Sequence, residues 1–410
     1  MPITIGDDAI DKFLEFCQKH SYEQFLLVAD TNTYHALGEK VFQAMQKQGW
    51  DVVRVVLEKK NLHSDDFAMM QVFKMADLKK RLYVAVGSGT ITDITRFTSH
   101  RTHNLFVSFP TAASVDAYTS VNAPVTIGGM KGSIYCHAPI AIFTDLPTIC
   151  ASPKFLTASG FGDLISKFTS SADWKISHLI WGVDFDEEIY QHALWAAKRA
   201  REVVHEIQES KPESMRAMME GQFASGFCMA DFGNSAPASG AEHHIAHIWE
   251  MLWHWHKREG LYHGQAVGVA AIITAGWYEK LRALSKDEAR RRLESVHIPT
   301  AEEQKAFIRE HLTIIADEII ERNPIYIQLS EKEIFMRTKA RILDNWEQIQ
   351  VVARQVPPAG KFRAWLQTVE GPTTPQELGV SESEARLAID NGHYLRERFS
   401  IAILRKLLGF

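Results

Sequence analysis

The sequence predicts an α/β domain with a mostly parallel sheet over residues 1–152, followed by an all-α domain over 153–410, with an active site in the cleft between them. Three observations carry this. Apolar runs of strand length alternate with amphipathic helical patterns through the first domain; long helical periodicities with few β-branched runs follow; and the change falls at Ala151-Ser152-Pro153.

The runs Phe25–Asp30, Val52–Leu57, Leu82–Gly87 and Asn104–Phe109 are nearly continuous in apolar residues, as expected of strands buried on both faces. Between them, His35–Gly49 and Ser64–Lys80 carry apolar residues at helical spacing, so strand and helix alternate and the strands join in parallel through crossover helices. Near the C-terminus, Thr374-Pro375-Gln376-Glu377 and Ser381-Glu-Ser-Glu384 each place a capping hydroxyl three residues before an acid, which predicts a helix start at both. Val356–Lys361 is a local loop, because amphipathic sequence continues on both sides.

Charge and cysteine usage narrow the function. Lys plus Arg number 45 against 50 Asp plus Glu, a net charge of −5 that offers nothing to a polyanion, so nucleic acid is not an expected partner. Cys17, Cys136, Cys150 and Cys228 form no Cys-x-x-Cys pair, which disfavours a disulfide scaffold or zinc ribbon and fits a reducing cytoplasm. No leader pattern opens the chain, and its longest apolar stretch, near Ala266–Ala275, is too short for a bilayer, so no membrane association is expected.

After the strand ending at Val86 comes Gly87-Ser88-Gly89-Thr90-Ile91-Thr92-Asp93, leading into a helix. Glycines at such a turn admit a pyrophosphate against the backbone, and the helix N-terminus stabilises its charge, as in a Rossmann-like fold. Thr92 stands where the third glycine of the dinucleotide fingerprint belongs, so a simple tight turn is the competing reading. Asp30 ends an earlier strand, where a carboxylate can accept hydrogen bonds from a ribose. The hydroxyl-rich Thr111-Ala112-Ala113-Ser114-Val-Asp116 to Ser120 follows a later one, where ligands collect in open α/β sheets.

Six histidines (His243, His244, His247, His254, His256 and His263) fall within residues 243–263, where even spacing of all 18 would put about one. His243 and His247 share a helix face, and His263 opens a segment rich in small residues. Imidazoles suit zinc, iron and nickel, and a catalytic site takes three protein ligands. A carboxylate is the expected third, with Asp163 the candidate at what reads as a helix start, where a plain N-cap is the alternative. His254 and His256, interleaved with Trp249, Trp253 and Trp255, read as packing or rim, and His244 points away from the His243/His247 face.

Taken in order, the Gly87 turn, the Phe109–Asp116 loop, Gly162-Asp163-Leu-Ile-Ser-Lys167, Ser239-Gly-Ala-Glu-His243-His-Ile-Ala-His247 and Tyr262-His263-Gly264 resemble the bacterial glycerol-1-phosphate dehydrogenases, of the superfamily shared by dehydroquinate synthase and the iron-containing alcohol dehydrogenases. Nearly the whole chain is covered. The resemblance implies that Asp163, His243 and His263 bind one divalent metal (nickel or zinc, with iron a further option), and that Asp116, Asp163 and His247 meet the substrate, with His247 and Asp163 catalytic. It implies that Gly87, Gly89, Thr90, Ile91, Thr92, Asp93, Thr111, Ala112, Ala113, Ser114 and Ser120 contact NAD or NADP, with Asp30 on the adenosine ribose. It further implies interconversion of dihydroxyacetone phosphate and sn-glycerol 1-phosphate, a homodimer, and a place in phospholipid metabolism. Relatives often have Thr-Ala-Pro-Ser where this chain has Thr111-Ala112-Ala113-Ser114, a departure that removes no proposed ligand. An unphosphorylated-polyol dehydrogenase and a dehydroquinate-synthase-like lyase are the competing activities.

Overall fold

The computed structural model describes residues 1–58, 62–127, 130–258 and 260–410. Eight strands are present among them: β1 Ile3–Gly6, β2 Gln24–Asp30, β3 Asp51–Leu57, β4 Leu82–Gly87, β5 Phe106–Pro110, β6 Asn122–Ile127, β7 Met130–Tyr135 and β8 Ile142–Asp145. Six form one parallel sheet in the order β1-β8-β5-β4-β2-β3, and β6 pairs antiparallel with β7.

The apolar runs expected to be strands are strands because both sheet faces are covered. On one face Phe25, Leu27 and Ala29 of β2 pack with Val84 and Val86 of β4, under Phe13 and Cys17 of helix Ala9–Lys19 and Val41 and Met45 of helix Glu39–Lys47. On the other, Leu26 and Val28 meet Tyr83 and Ala85, under Val72 of helix Asp66–Phe73 and Ile91 and Ile94 of helix Gly89–Arg101. Alternating residues thus serve opposite cores, so no polar face interrupts the run.

Several expectations are corrected. The sheet begins at β1, not at Phe25, and β8 lies beside it; each has only four residues. The helix expected over His35–Gly49 is a π-helical turn, Tyr34–Gly38, running into Glu39–Lys47. The one expected over Ser64–Lys80 shrinks to Asp66–Phe73, started by Asp65, whose carboxylate accepts from Ala68 N at 2.8 Å. Thr374 begins no α-helix: a single 3-10 turn, Gln376–Leu378, stops at Gly379, whose φ of +82° leaves the helical region. The Ser381 capping box is present and starts Glu382–Asn391.

From Lys154 onward all elements are helical. Helix His263–Arg282 is packed against Lys154–Ile165 and Ala241–Trp255. Glycines make one approach unusually close: a Cβ on Gly264 would stand 1.9 Å from Ser159 O, and one on Gly162 would stand 2.3 Å from Gly264 O. Backbone therefore meets backbone where Asp163 and His263 must come together.

Candidate metal and dinucleotide site

Asp163 is the tenth residue of helix Lys154–Ile165, not its start; Pro153 occupies the N-cap position. Its carboxylate is fully buried beside an equally buried Lys167, whose Nζ lies 2.9 Å from Asp163 Oδ1 and 2.9 Å from Asp116 Oδ2 and donates to Ala238 O at 3.1 Å. Burial alone would raise the Asp163 pKa. The Lys167 charge, with the neighbouring His243 and His263, outweighs it and holds the carboxyl well below its usual range. Burial likewise favours the neutral lysine amine, but Asp116 and Asp163 raise its pKa, so the charges maintain one another.

Helix Ala241–Trp255 supplies His243 and His247 one turn apart, with ring centroids 6.0 Å from each other. His263 opens the next helix, 5.4 Å from His243 and stacked on His247 at 5.3 Å and 18°. One ligand atom each from Asp163, His243 and His263 lie within 4.8 Å of one another. Each imidazole is oriented from behind: His243 Nδ1 donates to Glu242 Oε1 at 2.8 Å and His263 Nδ1 to Glu250 Oε1 at 2.7 Å, so Nε2 is the ligand nitrogen of both. Glu242 is itself fixed, accepting from Gly240 N at 2.7 Å and, on Oε2, from Thr169 Oγ1 at 2.9 Å.

Glu250 also receives His247 Nδ1 at 2.9 Å on its other oxygen. His247, Glu250 and His263 consequently form a second group compact enough to hold an ion. The Asp163 set is the more deeply buried, however, and places two imidazole Nε2 atoms beside a carboxylate that Lys167 holds ionised. The donor chemistry of the first set fits a divalent ion. Glu242 and Glu250 were not singled out from sequence. Only the Glu250 spacing, three residues after His247 on one helix, offered a signal.

The structure joins this set to the sheet. Asp116 N donates to Asp163 Oδ2 at 3.2 Å, Ser159 Oγ to Ser114 O at 3.2 Å, and a Cβ on Gly160 would overlap Ala113 O at 1.9 Å. The Thr111–Ser120 loop is thereby clamped between the metal set and the end of β5. Thr111 N reaches Gly87 O at 3.3 Å, and Gly87 pairs with Pro110. Asp30 ends β2, the neighbour of β4, and the connection after β3 returns across β2 to β4, so Asp30 and the Gly87 turn flank the point where strand order reverses.

The expected dinucleotide residues are not equivalent. Ser88 gives helix Gly89–Arg101 no side-chain cap, which leaves its first amides for a ligand; Thr90 and Ile91 stand in that first turn, and the buried Thr92 Oγ1 has no hydrogen-bond partner among the described residues. A Cβ on Gly87 would meet Ile91 Cβ at 2.5 Å, so the turn needs that glycine, and one on Gly89 would stand close against Val115 at 3.0 Å. This cradle fits a pyrophosphate. Asp30 uses one carboxylate oxygen to cap Thr33 N at 2.9 Å, and Asp93 is paired with Arg96 at 2.8 Å. Ser120 is buried and accepts from Asn122 N at 3.0 Å, while Ala112 offers its carbonyl to Tyr118 at 2.6 Å. His244 is buried away from the set, and His254 and His256 are exposed at its periphery.

A family model described as iron-containing alcohol dehydrogenase matches residues 4–153. The chain is 30% identical over 402 residues to a Bacillus subtilis protein named glycerol-1-phosphate dehydrogenase [NAD(P)+], covering 97% of this chain and 88% of that one. A Pyrococcus furiosus protein of the same name is 30% identical over 298 residues, or 73% of this chain and 83% of its own. Among solved structures, glycerol dehydrogenase from Schizosaccharomyces pombe superposes with a TM-score of 0.64 at 15% identity, over 100% of this chain and 88% of that one, a likeness of fold.

Proposed function

Because the chain belongs to the glycerol-1-phosphate dehydrogenase family, we propose that it interconverts dihydroxyacetone phosphate and sn-glycerol 1-phosphate with NAD(P) and a divalent metal. The observation that carries this reading is the convergence of Asp163, His243 and His263 at one end of a loop whose other end is bonded to the glycine turn of β4.

In this reading residues 1–152 hold the dinucleotide and 153–410 the metal. When bound at these residues, the ion supplies Lewis-acid polarisation of the substrate carbonyl and the reduced nicotinamide supplies the hydride. The chain's part is positioning and charge. Lys167, bonded to Asp163 Oδ1, keeps that carboxylate ionised, and Glu242 and Glu250 present His243 and His263 by Nε2. His247, held by Glu250 through Nδ1, keeps Nε2 for passing a proton to or from the substrate oxygen, work suited to an imidazole near neutral pH. Asp116 spends one oxygen on Lys167 and Ser225, which leaves the other for a substrate hydroxyl. Asp30 would hold the adenosine ribose through the oxygen that Thr33 does not use, an arrangement that favours NAD over NADP because a ribose phosphate would face a carboxylate.

Nickel or zinc is the proposed metal, with iron accommodated by the same donors. A cytoplasmic homodimer acting in phospholipid metabolism completes the proposal; no helix among the described residues is long and apolar enough to cross a membrane. The test is oxidation of NADH or NADPH by dihydroxyacetone phosphate, using protein stripped of metal and reloaded with nickel, zinc or iron. Turnover with at least one metal is expected. Turnover only with glycerol or dihydroxyacetone would replace the phosphorylated substrate by a plain polyol.

A further inference from the structure

A cavity of about 700 Å³ opens between helix Lys167–Trp181, the segment after helix Pro212–Phe232, and residues 396–400. None of its lining residues belongs to the metal or dinucleotide sets. Three guanidiniums line it: the exposed Arg322, paired with Glu318, and the half-buried Arg396 and Arg398, neither of which forms an ion pair among the described residues. Arg398 donates only to uncharged oxygens, Ser239 O at 2.6 Å, Ser235 O at 3.3 Å and Ser235 Oγ at 3.0 Å. Arg396 makes no hydrogen bond or ion pair among the described residues. Two hydroxyls that also line it, Ser177 from helix Lys167–Trp181 and Ser400 from the 396–400 segment, are 3% and 1% exposed and lack a partner among the described residues.

Keeping two like charges together away from full solvent is unfavourable unless a counter-charge is supplied. Burial, with the Arg396 charge added, already pushes Arg398 down to about 10. Among the described residues no nearby acid forms an ion pair with Arg396 or Arg398: Asp184 and Glu397 are exposed, Glu318 is taken by Arg322, and Asp173 is pushed up to about 7 by burial and by Glu242. Glu242, which with Asp173 acts on Arg398 only through its charge, is bonded to Gly240, Thr169 and His243.

We infer that this cavity is a second, non-catalytic site for a phosphate group, in which Arg396 and Arg398 bind the oxyanion and Ser177 and Ser400 donate to its remaining oxygens. A phosphate monoester carries close to two charges, matching two guanidiniums, and presents the several acceptor oxygens that two forks and two hydroxyls can fill. The cavity is roomier than one phosphate ion, so a small phosphorylated molecule fits as well as the free ion does.

Crystals of the full chain soaked in tungstate, an electron-dense phosphate mimic, should show the ion between Arg396 and Arg398. In solution the metal-loaded enzyme is titrated with inorganic phosphate and, separately, with a hexose 6-phosphate, alongside Arg396→Gln. Phosphate seated at the active site affects both proteins alike, so their difference reads the cavity. The variant is expected to lose about tenfold or more in affinity there, while its KM for dihydroxyacetone phosphate stays unchanged. Tighter hexose-phosphate binding would identify a phosphorylated metabolite as the occupant, and equal binding the free ion. Tungstate absent from the two arginines, or Arg396→Gln binding both phosphates like the parent, overturns the inference. A tenfold rise in the KM of that variant would make the cavity the seat of the substrate's own phosphate and overturn a separate site.

Discussion

Replacing Glu250 with alanine should loosen the metal without removing a ligand. Glu250 accepts His263 Nδ1 at 2.7 Å on one oxygen and His247 Nδ1 at 2.9 Å on the other. The substitution frees both rings to rotate or exchange tautomer, and either change withdraws Nε2 from its place for part of the time. Hydrogen bonds to a charged acceptor contribute about 1.5–3 kcal/mol each. Only the bond to His263 acts on a proposed ligand, and carboxylates behind a ligating imidazole typically govern about 10–100-fold in metal affinity, equivalent to about 1.4–2.7 kcal/mol. Competition for zinc against a chromophoric chelator measures that loss directly. The rate should fall further than the metal content at saturating zinc, because His247 loses its support as well. A variant whose zinc affinity and kcat both lie within about twofold of the parent would refute the reasoning.

Other outcomes follow from the same contacts. Lys167→Met leaves the buried Asp163 and Asp116 carboxylates without their shared cation, which should destabilise the fold by about 3–5 kcal/mol in denaturant titration. Gly264→Ala drives a methyl group into Ser159 O; a cost of about 1–3 kcal/mol and a fall in metal content are expected together, since the same approach seats Asp163 beside His263. Asp173 has its pKa raised to about 7 in the folded chain, chiefly by burial, so between its unfolded value near 4 and pH 7 the unfolded chain releases a proton that the folded chain keeps. Its contribution to stability therefore declines as pH rises across that window, and Asp173→Asn should show a flatter dependence of Tm on pH between 5 and 8.

The parts of this fold that can be read from sequence are those whose burial is two-sided or strictly periodic. Strands β2 to β5 are legible because residues such as Leu26 and Leu27 serve opposite cores and keep the run apolar. Strands β1 and β8, four residues each, are too short to carry a pattern, and β6 with β7 forms a separate ribbon outside the main sheet. At the site, His243, His247, His263 and Asp163 are identifiable by residue type and motif. The place of Asp163 within its helix is not, because Gly160 and Gly162 look like a break yet serve as contact points for Ala113 and Gly264. Glu242 adjoins His243, Glu250 follows His247 by three residues and Lys167 follows Asp163 by four, but the bonds of Glu242 to Thr169, of Glu250 to His263 and of Lys167 to Asp116 join separate elements, which no local spacing encodes.

Metal content and turnover measured together on His243→Ala and His247→Ala test the ligand assignment most directly. His243→Ala should lose both the bound ion and activity. His247→Ala should keep one ion per chain while its rate falls by about 10²–10⁴-fold. A His247→Ala protein without metal, or a His243→Ala protein that retains metal and full turnover, would contradict the assignment of Asp163, His243 and His263 as the metal site.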